Sequence, residues 1–285
     1  MSRGKLIVLS LCVLVLTACS APRLTYERLD WIVGWQLGRY VELDRNQRRQ
    51  FDALFQSGWD WHRARQLPVY AQDLQALSAQ IDRTVSPEDL LEWQRRAESH
   101  WDRLVQRVAP QACAIVASLS DDQRDSILRR IDERIDRDRE RFVERSEAEV
   151  RERAGKRLLR SLERWVGNLG DAQHRQAQIW NQARTLTHEV WIQRRAQWRE
   201  RLALLLDARG APGACVDLER LFLRGPADGG LHRPPDAHNL AWRTFLSDFA
   251  NGLQADQREH LRDELADWRE DFQVLAARAT PDPVP

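Results

Sequence analysis

Leu119-Ser-Asp-Asp-Gln-Arg-Asp-Ser-Ile-Leu-Arg-Arg-Ile-Asp-Glu-Arg-Ile135 opens as a helix opens and continues with a helical period. Ser120 stands where an N-cap side chain accepts a backbone N–H, and Gln123, three residues on, reaches back as in a capping box. Ile127, Ile131 and Ile135 recur every four residues, and Phe142, Val150, Leu158, Leu162 and Trp165 prolong the stripe at helical steps. One buried face with that period belongs to an α-helix. The pattern predicts a helix from Ser120 to about Val166, roughly 70 Å long at the α-helical rise. Gly167-Asn-Leu-Gly170 supplies a terminal glycine and the next N-cap within four residues, which suits only an antiparallel return. The return runs from about Asp171 to Leu206, with Trp180, Trp191, Trp198, Leu202 and Leu205 on one face. Together they predict a long antiparallel αα-hairpin, free either to project from the rest or to pack within it.

The opening motif recurs. Leu43 with Gln47, Leu119 with Gln123, Leu169 with Gln173 and Leu253 with Gln257 each frame three residues, the first of them at an N-cap position. Asp44 and Ser120 are good caps, Gly170 a tolerable one and Gln254 a poor one. Arg or His follows each glutamine, so the leucine is expected to insert into a neighbouring helix instead of stapling its own. The glutamines lie 76, 50 and 84 residues apart, which excludes a fixed-period solenoid. Ser86-Pro-Glu-Asp89 is another start, with proline at the first helical position and an acidic first turn. Its helix is expected to end near Val108 because Pro110 removes a donor. Asp236 to Asn251 and Gln254 to Arg278 read as two further helices, and Arg224 to Pro235, rich in Gly and Pro, as a mobile loop. No segment alternates as a strand. The fold class is therefore all-α, an elongated multi-helix bundle containing the hairpin.

Charged residues make up 31% of the chain, and 44 Lys and Arg stand against 43 Asp and Glu. The arginines interleave with acidic residues and form no single-signed stripe, so nucleic acid is not an expected partner. Paired carboxylates lie along polar helix faces with arginines three and four residues away. No phosphate loop or nucleophile elbow is present. Catalytic residues and a metal site are therefore not expected.

Arg3 and Lys5 precede an apolar run from Leu6 to Leu16, and Leu16-Thr-Ala-Cys19 follows. Charged start, short apolar stretch and small-residue cleavage site make a secretory signal, and about eleven apolar residues are too few to span a bilayer. A cysteine after Leu-x-Ala resembles the lipobox of bacterial lipoproteins. That resemblance implies a signal peptide over 1–18, a lipid such as palmitate on Cys19 as the one covalent addition, with no other cofactor, and a short tether over 19–23. A helical periplasmic domain over 24–278 and a disordered tail over 279–285 complete the chain. Ser20, in place of Asp, resembles the signal for release to the outer membrane, so the implied address is the outer membrane, facing the periplasm. Trp31 and Trp35, one turn apart, are expected in the core beside Leu29 and Ile32; the alternative places them at the bilayer interface.

With Cys12 in the signal and Cys19 lipidated, Cys113 and Cys215 remain. Two thiols in an oxidising compartment suggest a bond, which would close a loop of roughly 100 residues and add about 4 to 5 kcal/mol on the chain-entropy model. Two separate buried thiols are the alternative. Trp61-His-Arg63, with Trp59 before it and Tyr70 after it, is the densest functional-looking cluster. His62 suits a titrating group and Arg63 an anion clamp, although a guanidinium stacked on indole needs no substrate. Trp191, Arg194 and Trp198 join Trp61, His62, Arg63 and Tyr70 as a candidate partner-binding or structural set. His260, with Asp256 and Glu264 at i−4 and i+4, reads as a salt-bridged surface group, and His232 and His238 fall in or beside the loop.

Arg23-Leu-Thr-Tyr26 with Leu29-Asp-Trp31, then Tyr40, Leu43 and Gln47, and Trp61-His-Arg63 followed by Leu67-Pro-Val-Tyr70, resemble an uncharacterised family of helical bacterial lipoproteins, the domain of unknown function 6279. Trp165-Val-Gly-Asn-Leu169 with Gln173, and Trp191, Arg194 and Trp198, are similar to the same family. The resemblance reaches to about Leu206 and implies a location and a fold but no activity. The Leu-x-x-x-Gln entries are also similar to motifs of small periplasmic chaperones related to Spy and CpxP, although no copy here has Thr after Leu and the chain is about twice as long. The expected function is a membrane-anchored, non-enzymatic binding or structural module with an envelope protein as partner. The alternatives are a holdase for unfolded clients and an envelope enzyme of unknown reaction.

Overall fold

The computed structural model describes residues 21–142, 145–224 and 236–279, and no strand occurs among them. In chain order the elements are α1 (Ala21–Glu27), α2 (Leu29–Gly38), α3 (Arg45–Trp61), a π-turn (His62–Gln66), α4 (Leu67–Ser78) and α5 (Pro87–Ala117). Next come α6 (Asp121–Phe142), α7 (Glu147–Val166), α8 (Asp171–Ala183), α9 (His188–Asp207), α10 (Ala214–Arg224), α11 (Asp236–Asn251) and α12 (Ala255–Ala277). The fold is an all-α multi-helix bundle. None of the described helices is long and apolar enough to cross a membrane. The signal peptide, Cys19, most of the loop read over Arg224 to Pro235 and all but the first residue of the tail lie outside the described residues. Ala21 to Arg23, read as tether, are already the first turn of α1.

The hairpin is present, but each arm is two helices. α6 stops at Phe142, and α7 begins after Ser146, whose hydroxyl accepts from the Glu149 N–H at 3.3 Å while the Glu149 carboxylate accepts from the Ser146 N–H. The apolar stripe continues across this capping box, so periodicity alone reads through the break. The return arm breaks at Arg184, whose backbone is extended (φ −64°, ψ 144°). Arg151 of α7 donates to the carbonyls of Asn181 at 2.7 Å and Arg184 at 3.1 Å, satisfying the last turn of α8. His188 stacks on Phe142 with ring centroids 4.8 Å apart, which sets the two breaks level with each other.

Far from projecting, the hairpin supplies half of each of two cores. In the first, Leu128, Ile131 and Ile135 of α6 meet Ile192, Leu202 and Leu206 of α9, closed by Val41, Leu119 and Leu221. In the second, Leu162 and Val166 of α7 and Ala177 of α8 meet Phe245 and Phe249 of α11, with Leu253. Each large apolar side chain so buried contributes about 1.5 to 3 kcal/mol. A crossing pattern ties the halves together: α4 lies along α12, and α9 lies along α6.

Two other expectations give way. α5 runs through Pro110 to Ala117. Proline there leaves the Gln106 carbonyl without its usual donor, but both residues are exposed, so the loss is not a buried one. Trp31 and Trp35 are not core residues: they are 67% and 51% exposed and stack on each other at 6.2 Å.

Candidate functional site

Each Leu-x-x-x-Gln entry starts its helix as its spacing dictates, and the glutamine side chain then does something the spacing does not reveal. Gln47, Gln123, Gln173 and Gln257 each accept, through Oε1, the N–H of the residue three positions before at 2.9 to 3.0 Å. Their amides pair across the fold. Gln47 Nε2 donates to Gln123 Oε1 at 3.0 Å and Gln123 Nε2 donates back at 2.7 Å. Gln173 and Gln257 exchange the same bonds at 2.8 and 2.9 Å. The spare amide hydrogens reach carbonyls of the opposite entry: Gln47 to Ser118, Gln123 to Glu42 and Gln257 to Asn168. Gln47 and Gln257 are buried, and the leucines enter the same cores, Leu43 and Leu119 the first, Leu169 and Leu253 the second. The four motifs are thus two clasps, each closing one core.

The Trp61-His62-Arg63 stretch lies at the one place where the helical ladder of α3 and α4 widens. Pro68 has no N–H to give the Ala64 carbonyl, and Leu67 donates to the His62 carbonyl five residues back, making the π-turn. The turn aims His62 at α1, where the Tyr26 hydroxyl and His62 Nδ1 share a hydrogen bond of 2.9 Å. Burial holds the imidazole down at about 4, and burial, opposed by Arg63, pushes the phenol up to about 12. Both are therefore neutral at pH 7. Tyr70 stands edge-on between His62 and His100, at 5.5 and 4.6 Å. His100 Nε2 donates to Asp73 at 2.8 Å, and Arg103 donates to its Nδ1. That Asp–His pair faces no nucleophile, because the nitrogen a nucleophile needs is occupied by a guanidinium. Arg63 stacks on Trp59 at 4.9 Å, not on Trp61.

What this cluster achieves is a fixed α1. Tyr26 is joined to the π-turn, Arg23 pairs with the buried Asp271 of α12 at 2.8 Å, and Glu27 pairs with Arg278. The residues that follow Cys19 almost immediately are thereby clamped to the body at three points.

Trp191, Arg194 and Trp198 do not join that cluster. They lie on α9, where Trp198 meets Phe222 of α10 edge-on at 5.7 Å. Together with Leu37, Tyr40, Val116 and Ile127 these rings line an apolar groove of about 440 Å³, with Arg134 and Arg195 among its lining residues. Arg195 also pairs with Asp138. Cys113 of α5 and Cys215 of α10 form a disulfide with Cα atoms 5.5 Å apart, fixing the wall that carries Phe222. Sequence reading had both cysteines but no sign of the groove beside them, since its lining comes from five helices and the segment before α3.

Among the described residues no cluster of three His, Cys, Asp or Glu side chains is placed to hold a metal ion. His260 lies 4.0 Å from Glu264. His232, and the side chain of His238, lie outside the described residues. No curated protein and no solved structure matches the chain. Residues 39–224 match a family described as a family of unknown function, DUF6279.

Proposed function

The chain belongs to DUF6279, a family of unknown function, and with no activity to inherit from it we propose a membrane-anchored periplasmic lipoprotein that binds another envelope protein without catalysis. The lipid on Cys19 holds it to the outer membrane, and the apolar groove between α5, α6, α9 and α10 receives an apolar segment of the partner. The groove carries this reading. It is lined by Tyr40, Trp198 and Phe222, flanked by Arg134 and Arg195, and walled by a disulfide, the aromatic and arginine composition that dominates binding energy at protein interfaces. The arginines favour a partner segment with acidic residues beside its apolar ones. The clamped α1 supports a body held at a fixed attitude to the anchor.

Two measurements test it. Labelled palmitate should enter the protein and fail to enter a Cys19→Ala variant; equal labelling of both removes the anchor. A photo-crosslinking side chain at Phe222 or Leu218 in intact cells should capture one discrete envelope protein, and the same probe at Glu200 should not. Capture that is indifferent to position, or lost capture with strong suppression of aggregation of a denatured client, moves the reading to a holdase.

A further inference from the structure

We propose that the α2 face carrying Trp31 and Trp35 is a second, non-covalent membrane contact that seats against the headgroup region of a bilayer containing anionic lipid. The inference rests on the lipoprotein reading for the nearness of a membrane, and on α2 itself for the contact. Leu29-Asp-Trp-Ile-Val-Gly-Trp-Gln-Leu-Gly38 carries one charge in ten residues, yet no residue of α2 is buried. A helix apolar nearly all round normally lies in a core or a membrane; here Leu37 packs against the first core, while the face of Trp31 and Trp35 is left exposed. Its two largest side chains are exposed, 67% for Trp31 and 51% for Trp35, and they stack with rings 11° from parallel.

Position and charge identify what covers them. Cys19 lies two residues before α1, and helical rise puts Trp31 no more than roughly 22 Å from it along the chain. α1 is clamped to the body, so the lipid enters the membrane beside the end of the molecule that carries this face. Arg28 and Arg39 flank α2, and the Arg39 guanidinium lies over the Trp35 ring at 5.1 Å. Indole rings beside arginines fit the interfacial zone, the rings among the glycerol groups and the guanidinium groups on phosphate. A lipid chain with a second, apolar and basic contact also makes a firmer anchor than a chain alone.

The test uses the full mature chain added to vesicles of phosphatidylcholine and phosphatidylglycerol, with and without brominated acyl chains that quench indole fluorescence. Wild-type protein should be quenched. Trp31→Ala/Trp35→Ala should lose that quenching while Trp101→Ala, an exposed tryptophan on α5, keeps it. Arg28→Glu/Arg39→Glu should keep its circular dichroism and lose the dependence on phosphatidylglycerol. Palmitate labelling reports the covalent anchor separately. Unlabelled protein that is still quenched sinks the anchor and leaves this face standing. Labelled protein whose quenching is the same with and without Trp31 and Trp35 overturns the proposal.

Discussion

At the scale of single residues, the clasp glutamines carry more than their exposure as polar groups suggests. Gln47 satisfies its own N-cap N–H, the Ser118 carbonyl and Gln123 at once. Replacing it with alanine strands three partners, and the expected loss is about 2 to 4 kcal/mol, read as a lower urea midpoint. A Gln47/Gln123 double-mutant cycle should return a coupling on the order of 1 kcal/mol; additive losses would show that the two clasp halves act independently. His62 predicts a pH dependence whose sign follows from its burial. Its folded value is about 4 and an unfolded histidine titrates near 6.5, so between these the unfolded chain binds the extra proton. Stability is full above about 6.5 and falls as pH drops toward 4, by about 3 kcal/mol in all. His62→Gln, which can still hydrogen-bond Tyr26, should flatten the urea midpoint between pH 7 and pH 4.5 relative to wild type, whereas parallel curves would place the acid sensitivity elsewhere.

At the scale of elements, the Cys113–Cys215 bond holds α10 against α5 and closes a 102-residue separation. On the chain-entropy model its removal costs about 4 to 5 kcal/mol, so Cys113→Ser/Cys215→Ser should unfold at markedly lower urea and crosslink less through Phe222. An unchanged midpoint would mean that packing alone fixes the wall. Helix starts were legible in the sequence because a cap is decided within four residues, as at Asp44, Ser86 and Ser120. The break before Glu147 was written there too, in Ser146-x-x-Glu149, but the stripe from Ile135 to Val150 carries across it. Pro110 misled in the opposite sense, because a solvent-facing proline need not end a helix. The pairing of Gln47 with Gln123 was not legible, since it depends on where two segments 76 residues apart meet. Nor was the exposure of Trp31 and Trp35, because an apolar helix does not announce which neighbour will fail to cover it.

For the whole molecule, the governing feature is that each half is completed by the other, α4 along α12 and α9 along α6. The family match ends at residue 224, before α11 and α12 begin. A fragment stopping there leaves Leu67 and Ala71, now buried, without the helix they lie against, and strips Phe245 and Phe249 from the second core. The expected result is a chain that retains helical circular dichroism but loses its sharp unfolding transition; a cooperative transition in the fragment would show that the helices up to α10 stand without α11 and α12. The same crossing sets a timetable for the growing polypeptide. The surface of α4 is synthesised nearly two hundred residues before its cover, and contacts so distant in sequence form late. Until the final helix is released, the nascent protein exposes a bare apolar flank to proteases and to its own copies, and any product truncated near the C-terminus stays in that vulnerable condition.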